Sequence, residues 1–228
     1  MSGVDLPLWI GTIGMAVGTL LILMVGKRVP HGERHHVYTS AGVTAIAACA
    51  YYLMTDGRFM VMDGEVYAAR YLDWVLTTPL LLLGLLTIGM PKAGTPMGRG
   101  GIIGGVIGAD IFMIITGYLA ATSVDDQQRW VFYVVSCLAF LAIVKTAWGT
   151  VKASAAAAGT GALYGKLLNV LTVLWFIYPI LWVLGTEGIG VLSITREVWV
   201  FAVIDVCAKV LFGLLLVSGM SKAPAAAE

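Results

Sequence analysis

Seven stretches of this chain, 6–26, 36–55, 67–89, 101–121, 130–151, 164–185 and 195–220, are apolar over the roughly 20 residues a helix needs to cross a bilayer. Hydrocarbon offers no water to backbone amides, so each stretch must satisfy its N–H and C=O groups internally, as a helix. The expected fold is therefore an all-α membrane protein, a seven-transmembrane-helix bundle. An odd number of spans puts the termini on opposite sides. The breaks between spans ("GKRVPHGER", "DGRFMVMDGE", "MPKAGTPMGRG", "SVDDQQ", "GTEGIG") are turn-rich and too short for another domain, so 1–228 reads as one unit.

Composition agrees. The chain is 59% hydrophobic and only 12% charged, with mean hydropathy +0.91, where a soluble domain carries about 25% charged residues. A net charge of +1 argues against a nucleic-acid partner. Cys49, Cys137 and Cys207 all lie in apolar runs, so small buried thiols are expected rather than disulfides or zinc ligands. No cleavable signal peptide is expected, because the first run lacks a basic flank. The tail "APAAAE" reads as frayed.

Orientation follows from the positive loop charges. Lys27, Arg28, Arg34, Lys92, Arg99, Lys145, Lys152, Lys166 and Lys222 fall on one side. Arg58, Arg129 and Arg196 fall on the other, diluted by Asp56, Asp63, Glu65, Asp125, Asp126, Glu187 and Glu197. The expected topology has the N-terminus extracellular and the C-terminus cytoplasmic.

Against this apolar background, Asp73, Asp110, Asp205 and Lys209 lie deep inside spans, with Arg70 nearer an end. Ionisable groups at such depth need a partner or a task. Lys209 stands 12 residues from Glu197 and 13 from Lys222, about 18 Å from either end at the helical rise. A bare lysine there tends to lose its proton. Asp205 and Lys209 share a face at i,i+4, and a purely structural salt bridge is the plain alternative, though a costly one. In "RYLDWVLTTPLLLL", Arg70, Asp73 and Thr77 share one stripe, and the Thr77 hydroxyl is expected to donate to the Asp73 carboxylate. Asp73 and Asp205 would then face Lys209, Arg70 would add a second positive charge, and the set would sum to zero. A lysine that stays cationic there suggests a protonated Schiff base with an aldehyde ligand. Trp175, Tyr178 and Trp182 form an aromatic stripe interrupted by Pro179, which implies a kink, and Trp74 follows Asp73. Tyr51 continues a stripe of His36, Ser40, Thr44 and Ala47.

Those motifs, with the Asp-x-x-x-Lys of "DVCAKVLFG", closely resemble the microbial (type 1) rhodopsins of the bacteriorhodopsin-like branch, and the resemblance spans nearly the whole chain. It implies a light-driven ion transporter rather than an enzyme, with all-trans retinal bound covalently as a Schiff base on Lys209. By position it makes Asp73 the counterion and primary proton acceptor, Asp205 a second counterion and Arg70 a switchable cation. Trp74, Trp175, Tyr178, Trp182, Met113, Gly117, Ser136 and Phe140 would wall the retinal, with Thr77, Tyr51 and Ala208 beside it. Asp110 would be a neutral acid near the ring end, bonded to a neighbouring helix. Glu187 and Glu197 would form a proton-release pair. Eleven residues after Asp73, Gly84 replaces the cytoplasmic donor carboxylate, giving the Asp–Thr–Gly signature of bacterial relatives, mostly outward proton pumps. His36, near the cytoplasmic mouth, is a candidate for proton uptake, or "HGERHH" is simply a basic interfacial loop.

The resemblance further implies residence in a microbial cytoplasmic membrane, protons as the transported species and a homo-oligomer. It leaves open a sensory rhodopsin working through a transducer protein. Gly84 suits that alternative; Ala208, where one sensor branch has threonine, and both outer glutamates do not. A seven-helix protein that never binds retinal remains the third possibility.

Overall fold

The computed structural model describes residues 3–57, 59–62, 66–91 and 98–221. Among these residues, seven helices are long and apolar enough to span a membrane. They are α1 (Asp5–Gly26), α2 (Arg34–Thr55), α3 (Ala68–Gly89), α4 (Gly98–Ala121), α5 (Asp126–Ala157), α6 (Gly161–Leu184) and α7 (Ile194–Met220). Successive helices pack side by side, and α7 closes the ring against α1.

The expected spans all appear, and the differences lie at their ends. The run expected at 130–151 starts earlier, where Asp125 caps it by accepting from the Gln128 amide at 2.8 Å. It also runs on to Ala157 through a π-helical turn, Ala147–Val151, because "KASAAA" has high helix propensity, its lysine included, although that lysine breaks the apolar run. A three-residue 3-10 turn, His31–Glu33, leads into α2. Met60–Val61 and Val66–Tyr67 pair as a small antiparallel hairpin, too short for a sequence pattern to announce. Helix α6 passes unbroken through Pro179. Arg58, Asp63, Glu65, Lys92, Lys222 and the tail lie outside the described residues.

Burial follows the ring. In α3 and α7, 61% of the apolar window is buried, against 17% in α5; the helices carrying Asp73 and Lys209 are thus the inner ones. Exposed Ile13, Leu20 and Leu138 give the outside an apolar surface suited to lipid. Inside, threonine hydroxyls are satisfied by carbonyls one turn back, as at Thr12, Thr19, Thr78 and Thr116. The cysteines depart from expectation. All are free, but Cys49 is exposed and Cys137 and Cys207 are half-buried, because a helix wholly apolar in composition does not reveal which side meets lipid.

Candidate functional site

The site begins with a local irregularity in α7. After Val206 the helix widens into a π-helical turn, Cys207–Leu211, with Lys209 at its centre. Such turns cluster at functional positions. Lys209 Nζ donates to Asp73 Oδ2 across the bundle and to Asp205 Oδ1, 3.5 Å away in its own helix. Lys209 is 2% exposed, Asp73 1% and Asp205 0%. Tyr51 and Tyr178 hold Asp205 from two sides, donating to Oδ2 at 2.7 Å and to Oδ1 at 2.6 Å.

Two expectations change here. The Thr77 hydroxyl donates to the main-chain carbonyl of Asp73 at 2.8 Å rather than to its carboxylate, the usual outcome when a helical threonine finds the i−4 carbonyl in reach. Asp73 Oδ1 has no hydrogen-bond partner among the described residues. Arg70 does not complete a neutral set around Lys209. Its Nη1 donates to Glu197 Oε1 at 2.8 Å and lies 3.5 Å from Glu187 Oε1, because two buried carboxylates on the far side of its helix turn attract it more directly than Asp73.

Arg70, Glu187 and Glu197 thus make a second buried cluster. Glu187 is 3% exposed and Glu197 1%, although the α6–α7 loop would ordinarily be a solvated place. The backbone and hydroxyl of Thr186 donate to Glu197 Oε2 at 2.8 and 3.0 Å. Tyr71 donates to Glu187 Oε1 at 3.3 Å and accepts from Trp182 Nε1 at 3.0 Å. Burial pushes the Glu187 carboxyl up to about 7; Arg70 pulls against that and Glu197 adds to it. Phe201 stands between the two clusters, with its ring 4.1 Å from the Arg70 guanidinium carbon and 5.6 and 5.8 Å from the rings of Trp74 and Tyr178. Together the clusters set two basic side chains, Lys209 and Arg70, against four acidic ones, Asp73, Asp205, Glu187 and Glu197.

Lys209 also lines an apolar cavity between the helices. Its wall includes Trp74, Met113, Gly117, Ser136, Phe140, Trp175, Tyr178, Trp182 and Ala208, as expected, together with Asp205. Trp74 and Tyr178 meet edge to face at 5.4 Å, and Ser136 bonds the Met113 carbonyl at 2.8 Å, tying α5 to α4. Thr77, Tyr51 and Asp110 are not in the wall. Tyr51 sits behind Asp205, and Asp110 lies one layer out, accepting from Thr78 of α3 at 2.7 Å. Sequence reading missed Tyr71, Thr78, Leu81, Ile114, Tyr133, Cys137 and Pro179 in that wall. A signal was present: Tyr71, Trp74, Thr78 and Leu81, like Tyr133, Ser136, Cys137 and Phe140, recur at helical spacing on one face. An apolar cavity with aromatic walls and one amine among its lining residues suits retinal, and Lys209 Nζ marks the atom that would carry it.

His36 lies at the other end of the bundle, since α2 and α3 run in opposite directions and Arg70 is near the start of α3. It is 4% exposed, with Nε2 3.5 Å from Glu33 Oε2. The stripe His36, Ser40, Thr44, Ala47 and Tyr51 is buried throughout and ends at Asp205.

The sequence profile of the bacteriorhodopsin-like protein family matches residues 3–223. A bacteriorhodopsin from Haloterrigena sp. (strain arg-4) is 39% identical over 224 residues, covering 94% of this chain and 87% of the relative. Sensory rhodopsin-2 of Natronomonas pharaonis is 37% identical over 221 residues, covering 94% and 88%. The crystal structure of thermophilic rhodopsin from Rubrobacter xylanophilus matches with a TM-score of 0.88 at 35% identity, covering 96% of this chain and 100% of that one. With its buried lysine, paired carboxylates and seven-helix ring, the chain belongs to the bacteriorhodopsin-like family of microbial rhodopsins, multi-pass membrane proteins that are light-driven ion pumps or sensors and not enzymes.

Proposed function

We propose that this protein is a light-driven outward proton pump carrying all-trans retinal on Lys209. The observation that carries the reading is the Lys209 nitrogen held by Asp73 and Asp205, with a second set of buried carboxylates, Glu187 and Glu197, paired with Arg70 toward one end of the bundle. Retinal, when bound, supplies the absorption of light and the isomerisation that drives the cycle.

The residues supply the rest. Asp73, in contact with the Lys209 nitrogen, is the natural acceptor of the proton held there. Tyr51 and Tyr178 donate to both oxygens of Asp205, so its lone pairs are already engaged and the proton at Lys209 goes to Asp73 rather than to Asp205. Arg70 is already paired with Glu197 and Glu187, and once Asp73 is neutral the attraction drawing it back toward Lys209 is gone, which links Asp73 electrostatically to the glutamate pair. A proton shared by Glu187 and Glu197 then leaves outward. Gly84 offers no donor, and a proton enters from the opposite end, where His36 and Glu33 sit together. A carboxylate at position 73 favours protons over chloride, because a fixed anion repels another anion at the Lys209 nitrogen. The topology that fits has the Glu187 end outside, in a microbial cytoplasmic membrane.

A sensor working through a transducer is the second reading, favoured by Gly84 and by the likeness to sensory rhodopsin-2. Ala208 and the intact glutamate pair favour the pump. Asp73→Asn separates the roles. It should shift the visible absorption band and abolish light-driven transport, while transport persisting in that variant would remove Asp73 as acceptor.

A further inference from the structure

The chain has three histidines, and all fall within six residues, His31, His35 and His36. They surround the junction of the 3-10 turn His31–Glu33 with α2, at the end of the bundle away from Arg70. Ordered backbone on both sides fixes this junction. His36 is buried and its Nε2 lies 3.5 Å from Glu33 Oε2. The His35 ring, reaching in from solvent, lies 4.1 Å from the His36 ring at a tilt of 36°. One donor atom from each of Glu33, His35 and His36 lies within 4.8 Å of the others, the only such trio of His, Cys, Asp or Glu among the described residues.

That spacing is close to a coordination shell. Ligands about 2.0–2.1 Å from a tetrahedral Zn2+ stand about 3.4 Å apart. Glu33 and His36 already have this separation, and the widest remaining gap closes by about 1.4 Å, within reach of a side-chain rotation at exposed His35. We propose that Glu33, His35 and His36 form a binding site for a transition-metal ion of the Zn2+ class at the start of α2. Two imidazoles and one carboxylate select borderline ions such as Zn2+, Ni2+ or Cu2+ over Mg2+ and Ca2+, which demand more oxygen ligands. Two ligands from α2 and one from the turn before it would lock the junction, and an ion bound only to folded protein raises its stability. The site shares Glu33 and His36 with the proposed proton entry, but its test reads metal binding alone and does not depend on the direction of proton transport.

The test uses tag-free, retinal-reconstituted protein, so that His31, His35 and His36 are its only imidazoles. Zn2+ is titrated against a fluorescent chelator, and the unfolding temperature is followed in parallel. The expected result is one Zn2+ per chain, bound more weakly in His35→Gln and in Glu33→Gln by at least the roughly 10-fold that loss of a mere outer-shell partner costs. A rise in unfolding temperature with Zn2+ should accompany it in the parent protein, be lost in both variants and be absent with Ca2+. Both substitutions fall on solvent-reaching side chains, and an unchanged visible spectrum confirms that each variant is folded. Equal Zn2+ affinity in the parent and His35→Gln, or no stoichiometric binding, overturns the site.

Discussion

Glu187 shows at the scale of one residue how burial creates chemistry. In a loop it would be an ordinary surface acid; here it is 3% exposed and burial moves its carboxyl up to about 7. Its folded-state affinity for a proton exceeds that of the unfolded chain. Between the ordinary carboxylate range and about pH 7 the folded protein therefore binds the extra proton, and the stability this group contributes falls as pH rises through that window. Glu187→Gln cannot titrate. The prediction is that the parent protein loses unfolding temperature relative to Glu187→Gln as pH rises from about 5 to about 8, measured by thermal melts of both. A pH-independent difference would mean that Glu187 holds no such proton. At this scale the sequence was most informative where it was most anomalous. Lys209, Asp205, Asp73 and Asp110 stand out because charge in an apolar run has no neutral explanation, and all four are buried. The choice of Thr77 between a carboxylate and a carbonyl, and of Arg70 between Asp73 and the glutamates, depends on rotamers, which spacing along a helix does not specify.

Elements position these residues through close approach. Helix α1 carries no buried charge, yet it sets the counterion through Gly11. A Cβ there would stand 2.2 Å from the Tyr51 ring, and Tyr51 is one of the two tyrosines that hold Asp205. Gly11→Ala should displace Tyr51, cost on the order of 1–3 kcal/mol of stability through overpacking, and shift the visible band as Asp205 loses a donor. Gly42→Ala in α2, where nothing lies within 4 Å, should leave the band in place and hold or raise stability by up to about 1 kcal/mol. Absorption spectra and melts of the two variants check the contrast; equal behaviour would show that α1 does not brace Tyr51. The helices themselves were legible from apolar length, and their true ends were not, since Ala157 lies beyond a lysine that hydropathy reads as a stop. The π-helical turn around Lys209 had no signal in composition at all, because one widened turn leaves the apolar pattern intact.

For the whole molecule, function rests on asymmetry about one nitrogen. Buried Arg70, Glu187 and Glu197 lie toward one end, and Glu33 with His36 at the other. Between them the Lys209 nitrogen contacts Asp73 and Asp205. In the ring of seven helices closed by α7, α3 and α7 are the innermost. The number of spans and the deep charges were enough to read this architecture from sequence. The partnership of Arg70 with both glutamates required the fold, since it joins residues more than a hundred positions apart. Outward transport is the central claim, and the most direct measurement is the light-induced pH change in a suspension of cells expressing the protein with added all-trans retinal, with and without a protonophore. The account predicts acidification of the medium that disappears with the protonophore and is absent in Lys209→Ala, which should form no pigment. Coloured cells whose medium does not change pH in light, or turns alkaline because protons move inward, would contradict it.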